Sequence, residues 1–181
     1  MPMKNPRALL FAAGPLLALF LPALAATVQD KPSAPVPPKA APMSLEDMER
    51  SIFEAVNRER AARNLPTLAL SPALTELARG QSREMAGLGE LVHESASGRS
   101  YSERLEAANV LYAANAENVA RGDSSDPRMI HDALMESGGH RANILHPDFD
   151  QLGVGIVRAE DGVFYVTQDF FRVRLRRIPA Y

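Results

Sequence analysis

Residues 44–173 of this 181-residue chain read as one α+β domain. Three observations point there. Apolar residues recur at helical spacing in four segments before residue 135. Beyond Pro147 the pattern changes to β-branched and aromatic runs around a tight turn. Helices come first and a hairpin closes the domain, without the strand–helix alternation of a βαβ repeat. No internal repeat is present.

Ser44, Glu46 and Asp47 open the first helix with a capping-box-like pattern, and Leu45, Met48, Ile52, Ala55 and Val56 form its inward stripe. Asn64 and Pro66 end it. Ser71 precedes Pro72, a hydroxyl N-cap ahead of a proline at the first helical position. Leu74, Leu77, Ala78 and Met85 line that second helix, and Gly87 and Gly89 stop it. Ser100 with Glu103 makes a capping box for a third helix carrying Leu105 and Ala108. Asp126 and Pro127 cap a fourth, with Met129, Ile130, Ala133 and Leu134 expected to face inward. Gly138 and Gly139 break it, which leaves the segment after them as a loop. Residues 152–157 and 163–171 form the hairpin, joined by the tight-turn pair Asp161-Gly162. Residues 117–120 are expected as a third, shorter strand.

The flanks are of different character. Lys4 and Arg7 precede an uncharged, mostly apolar stretch over residues 8–26, and Ala23-Leu24-Ala25 supplies small residues at the cleavage positions. This is the pattern of a secretory signal peptide over residues 1–25, with cleavage expected after Ala25. The alternative is an uncleaved anchor, since the stretch is about long enough to span a bilayer. Gly14, Pro15 and Pro22 interrupt it, and no cysteine follows for lipid attachment. Cleavage removes two positive charges and no negative ones, moving the net charge from −2 to −4. Secreted or periplasmic placement is expected, with no stable membrane span after cleavage. Residues 26–43 are a Pro-rich linker with five prolines in residues 27–43, an extended spacer without a core. Residues 174–181 form a basic tail. Arg172, Arg174, Arg176 and Arg177 crowd together there, either as a solvated strand end or as contact with an anionic surface.

Composition excludes several functions. With 20 basic against 22 acidic residues there is no electrostatic footprint for nucleic acid. No cysteine means no disulfide, no thiol nucleophile and no Cys-ligated metal. An exported domain without disulfides rests on its hydrophobic core, which about 130 residues can supply. His93 and Glu94 do not continue into a zinc-protease motif, because Ser97 stands where the second histidine belongs. Nucleophile-elbow, Walker and Rossmann signatures are missing as well, so no organic cofactor is expected.

The histidines are His93, His131, His140 and His146. His93 (in LVHESASG) and His140 (in SGGHRANIL) lie in predicted loops, and Glu117 lies at a predicted strand start. Two imidazoles and a carboxylate suit Zn²⁺ or another divalent cation if the fold unites them. Hydrogen-bonded or surface histidines are the alternative, since 47 positions separate the two. His131 reads as a partly exposed helix residue. His146 reads as structural, bonding a local carbonyl.

Several stretches resemble the CAP superfamily, named for cysteine-rich secretory proteins, antigen 5 and pathogenesis-related 1 proteins. They are AVNRERAARNLPTLALSPALTELARGQSREMA, LVHESASGRSYSERLEAANV, AENVA, ALMESGGHRANILHPDFDQLGVGIV and FYVTQDF, in the family's order over about residues 44–172. The resemblance is to the cysteine-free bacterial form. It implies a three-layer α–β–α sandwich with a central antiparallel sheet and a cleft holding a His/Glu tetrad. His93, Glu117 and His140 match three members of that tetrad. The fourth, an acid on the helix before the last histidine, falls at Ser137, with Glu136 one place before it. One helical step turns a side chain by about 100°, so Glu136 points elsewhere and a triad is the reading carried forward. Ala116 stands where the family has glycine, Leu134 where it has tryptophan, and Gly138 where it has proline.

The resemblance leaves binding and catalysis both open, and a non-enzymatic secreted binding module is the preferred reading. His93 and His140 hold a divalent cation in its cleft, Glu117 ligates or orients, and a small lipid, sterol or peptide binds nearby. Asn118 and Ser137 are further cleft candidates, with Arg141, Asn143 and Gln168 weaker ones. The competing function is a metal-dependent hydrolase of peptides or esters in which Glu117 activates a metal-bound water. A serine hydrolase using Ser95 or Ser137 lacks a nucleophile motif.

Overall fold

The computed structural model describes residues 43–173. The expected signal peptide, nearly all of the linker and the tail beyond Val173 lie outside the described residues. Nine elements follow in order: α1 (Leu45–Ala61), β1 (Ala69–Leu70), α2 (Pro72–Leu88), α3 (Tyr101–Ala107), β2 (Tyr112–Gly122), α4 (Pro127–Glu136), α5 (Gly138–Ile144), β3 (Gln151–Arg158) and β4 (Phe164–Val173).

The caps behave as their chemistry requires. The Ser44, Ser71, Ser100 and Asp126 side chains each accept an amide of their helix's first turn, and Ser100 and Glu103 complete a reciprocal capping box. Gly89 ends α2 in the left-handed region at φ 72°, open to glycine at no steric cost.

The sheet runs β1-β3-β4-β2. β2, β4 and β3 pair antiparallel, as expected. The two-residue β1 was not expected, and it runs parallel to β3. β2 spans eleven residues instead of the four expected, because Tyr112 and Ala114 to Gly122 find partners along β4, with a bulge at Ala113.

Strand alternation sorts residues into two faces. Leu152, Val154, Ile156, Phe164, Val166 and Phe170 pack with Met48, Ile52 and Val56 of α1, Ile130 and Leu134 of α4 and Ile144 of α5. On the other face Phe171 packs with Leu74, Tyr101 and Leu105, while Tyr165 and Val119 pack with Met85. The sheet therefore lies between two helical layers, the three-layer α+β arrangement expected. Gly153 and Gly155 let α2 lie directly on β3, since a Cβ at either would overlap the α2 backbone.

Buried polar groups tie the layers together. Arg60, fully buried on α1, donates to the carbonyls of Pro66, Ile144, His146 and Phe149 at 2.8–3.3 Å and so binds α1 to the α5–β3 connection. Glu49 of α1 pairs with Arg79 of α2 and accepts from the Ile156 amide of β3 at 3.0 Å.

Three local expectations are corrected. Met129 and Ala133 face outward, because Ile130 and Leu134 take the core side of α4. Leu45 is also exposed, since it lies at the first turn of α1, ahead of the packed stripe that begins at Met48. The segment after Gly138 folds as a short helix, α5, so His140 is helical.

Candidate functional site

Glu117 is the hub. It projects from β2 toward the layer of α2 and α3, and its side chain is 3% exposed. Its Oε1 accepts from His93 Nδ1 at 2.9 Å, and its Oε2 is paired with Arg104 of α3. Arg104 Nη1 donates to the His93 carbonyl at 2.7 Å, so one guanidinium fixes the histidine's backbone and the carboxylate that orients its ring. Gln81 of α2 holds the same loop from the other side, donating to the Val92 carbonyl at 2.7 Å. The His93 side chain is 58% exposed, which leaves Nε2 facing solvent.

Electrostatics around Glu117 oppose one another. Burial pushes its carboxyl above the usual range, while Arg104 and His93 pull it down. Asp169 lies directly across the ladder from Glu117 on β4. Burial first, and then the Glu117 charge, holds Asp169 well above the ordinary carboxylate range.

His140 arrives from the other layer. β2 is the outer strand of the sheet, and α3 of one layer and α5 of the other both pack against it. Asn118 Nδ2 donates to the His140 carbonyl at 3.1 Å and to Gln168 Oε1 at 3.0 Å, and Asn143 Nδ2 donates to Asn118 Oδ1 at 2.8 Å. Burial lowers the pKa of His140, and the charge of His93 lowers it further.

The remaining predicted residues divide. Asn118 and Gln168 are buried on the α4–α5 side, opposite to Glu117; Asn118 bonds Gln168 and α5, while Gln168 Nε2 has no partner among the described residues. Asn118 positions His140, and both side chains are buried away from solvent. Ser137 is half-buried at the start of α5, with no capping bond from its hydroxyl. Glu136 is exposed. Arg141 donates to the Met135 carbonyl at 2.8 Å, a local backbone role. His131 is corrected: it is 4% exposed between α1 and α4, because the helix face it shares with Leu134 packs on α1. His146 Nδ1 accepts from the Asp148 amide at 3.2 Å, a local amide where a carbonyl was expected.

Two site residues were missed. Arg104 looked like any exposed basic residue of an amphipathic helix. Asp169 carried a signal, since strand alternation places it on the same face as Tyr165, Thr167 and Phe171, where an acid is costly.

The residues present do not make a three-ligand zinc site. Both Glu117 oxygens are engaged, which leaves His93 and His140, one short of the three protein ligands of a catalytic zinc centre. Among the described residues no group of three or more His, Asp or Glu side chains is arranged to hold a metal ion. A separate apolar hollow of about 460 Å³ lies between the end of β2 and α4, lined in part by Ala120, Met129, Ile130 and Ala133.

The profile of the cysteine-rich secretory protein family, CAP, matches residues 53–170. The chain belongs to the CAP family. The Bacillus subtilis protein YkwD is 33% identical over 129 residues, covering 71% of this chain and 49% of that protein. A solved structure of an extracellular SCP-domain protein from Bacillus anthracis is 28% identical, with a TM-score of 0.64 over 74% of this chain and 45% of that one. An outer surface protein of Borrelia burgdorferi shares the fold at 15% identity, with a TM-score of 0.67 over 75% of this chain and all of that one. This CAP chain thus spans about half the length of the two Bacillus relatives. No helix among the described residues is long and apolar enough to cross a membrane.

Proposed function

We propose that this CAP chain is an exported, non-enzymatic binding module whose ligand contacts His93 and His140 at the free edge of β2. One observation carries the reading: both oxygens of Glu117 are committed to protein partners, while among the described residues His93 Nε2 and the His140 ring have none. The imidazoles are the groups left to meet a ligand, and Glu117 serves to orient one of them. A small lipid, sterol or peptide is the ligand class, in keeping with the family resemblance. The Bacillus anthracis relative is an extracellular protein, which supports export, together with the basic and apolar leader of this sequence.

The hydrolase reading needs Glu117 as a base, and a base needs a free oxygen facing water. Both Glu117 oxygens instead engage His93 and Arg104, which favours the binding reading. The test titrates palmitate, cholesterol and a casein digest into purified full chain with ring-labelled histidine, read by NMR, beside turnover assays on casein and p-nitrophenyl acetate with and without Zn²⁺. Saturable shifts at His93 and His140 without turnover are expected. A metal-dependent rate that Glu117→Gln abolishes would overturn the reading.

A further inference from the structure

We propose that Arg104 is the resident cation of the His93–Glu117–His140 cluster and keeps divalent metal out of it. The inference goes beyond the ligand reading and does not depend on which ligand binds.

Arg104 holds the place a metal would need. Its guanidinium covers Glu117 Oε2 and its side chain is only 10% exposed, so a metal ion reaching that oxygen must displace it. A metal ion beside it meets a fixed positive charge in a poorly solvated setting, where repulsion is strong. The guanidinium is held independently of Glu117: it donates to the His93 carbonyl at 2.7 Å and lies 5.5 Å from the Tyr101 ring centre. The capping box of Ser100 and Glu103 fixes the turn of α3 that carries it. The other Glu117 oxygen orients His93.

No second carboxylate offers itself. Asp169 is wholly buried behind Glu117, and Glu136 is exposed at the end of α4. A dication at the two imidazoles would therefore find no free anionic ligand, whereas Arg104 already balances Glu117 through a charge-assisted pair. Removing Arg104 should free Glu117 Oε2 as an anionic ligand beside His93.

The test titrates Co²⁺ into the full chain at neutral pH, read by visible absorption and calorimetry. Wild type is expected to show no saturable site that depends on His93 and His140. Arg104→Met and Arg104→Gln each free Glu117 and should bind Co²⁺ at least about tenfold more tightly than wild type. Adding Glu117→Gln should erase that gain. A one-to-one Co²⁺ site in wild type, lost in His93→Ala/His140→Ala, overturns the proposal. So does a folded Arg104 variant, verified by circular dichroism, that gains nothing. If neither variant folds, the wild-type titration decides alone: a His-dependent site refutes, and its absence supports. Failure of lipid or peptide binding would leave this result untouched.

Discussion

Asp169 faces Glu117 across the β2–β4 ladder, and neither of its carboxyl oxygens receives a hydrogen-bond donor. The groups opposing each other are both acceptors, so only a proton can turn their approach into a bond. An ionised carboxylate buried without a partner is too costly to persist, and Asp169 keeps its proton. Glu117 then faces Arg104 as the charged member of the pair.

This arrangement has a pH signature. Below about pH 4 both folded and unfolded Asp169 are protonated, and nothing is lost. As pH rises, the unfolded chain releases its proton while the folded chain retains it, so stability falls toward the raised folded pKa. Asp169→Asn removes that loss. Its melting temperature should exceed wild type by on the order of 3 °C at pH 8, with the gap closing near pH 4. A variant less stable than wild type at pH 8 contradicts a neutral Asp169.

His131 gives the opposite slope. It is buried between α1 and α4 with neither ring nitrogen bonded, and burial lowers its pKa. Glu59 of α1 and Asp132 of its own helix act against that shift, and Arg58 adds to it. Its stabilising effect is complete above about pH 6.5, the unfolded value, and is lost as pH falls toward the lowered folded pKa. Thermal melts at pH 5 and 7.5 should show His131→Phe losing less stability on acidification than wild type. Some acid sensitivity should remain, since His140 shifts the same way. Equal losses in both proteins would remove His131 from the account.

Gly155 tests how α2 seats on the sheet. A Cβ there would overlap the backbone of Ala78 and Arg79, which cannot swing aside as a side chain can. Gly155→Ala should cost about 3 kcal/mol by urea denaturation. An unchanged midpoint would mean that α2 can lift off β3 freely.

Asn118 tests the placement of His140. Its amide joins β2 to the His140 carbonyl, Gln168 and Asn143. Asn118→Ala should cost about 2 kcal/mol and speed hydrogen exchange across α5, because the buried amides lose partners together. Exchange confined to wild-type rates would leave α5 held by packing alone.

The local grammar of this chain was written in its residues. Ser44, Ser71, Ser100 and Asp126 started four helices where their side chains cap amides, and Asp161-Gly162 turned the hairpin, because caps and turns are contacts between near neighbours. The α+β class followed from that order, and the quoted motifs led to the family. His93, Glu117 and His140 came from the resemblance, not from spacing.

What the residues could not show by themselves was how the distant parts meet. β2 grew to eleven residues because β4 offered it a partner, and Gly138 and Gly139 entered a helix because α5 packs Ile144 into the core. Alternation put Glu117 and Asn118, neighbours in sequence, on opposite faces of the sheet, giving one to His93 and the other to the His140 backbone. Arg104 lies thirteen residues before Glu117 and Asp169 fifty-two after it, yet both reach that carboxylate. Short-range chemistry is carried by sequence spacing; the charge balance of a buried carboxylate depends on which remote side chains the packed sheet and helices bring to it.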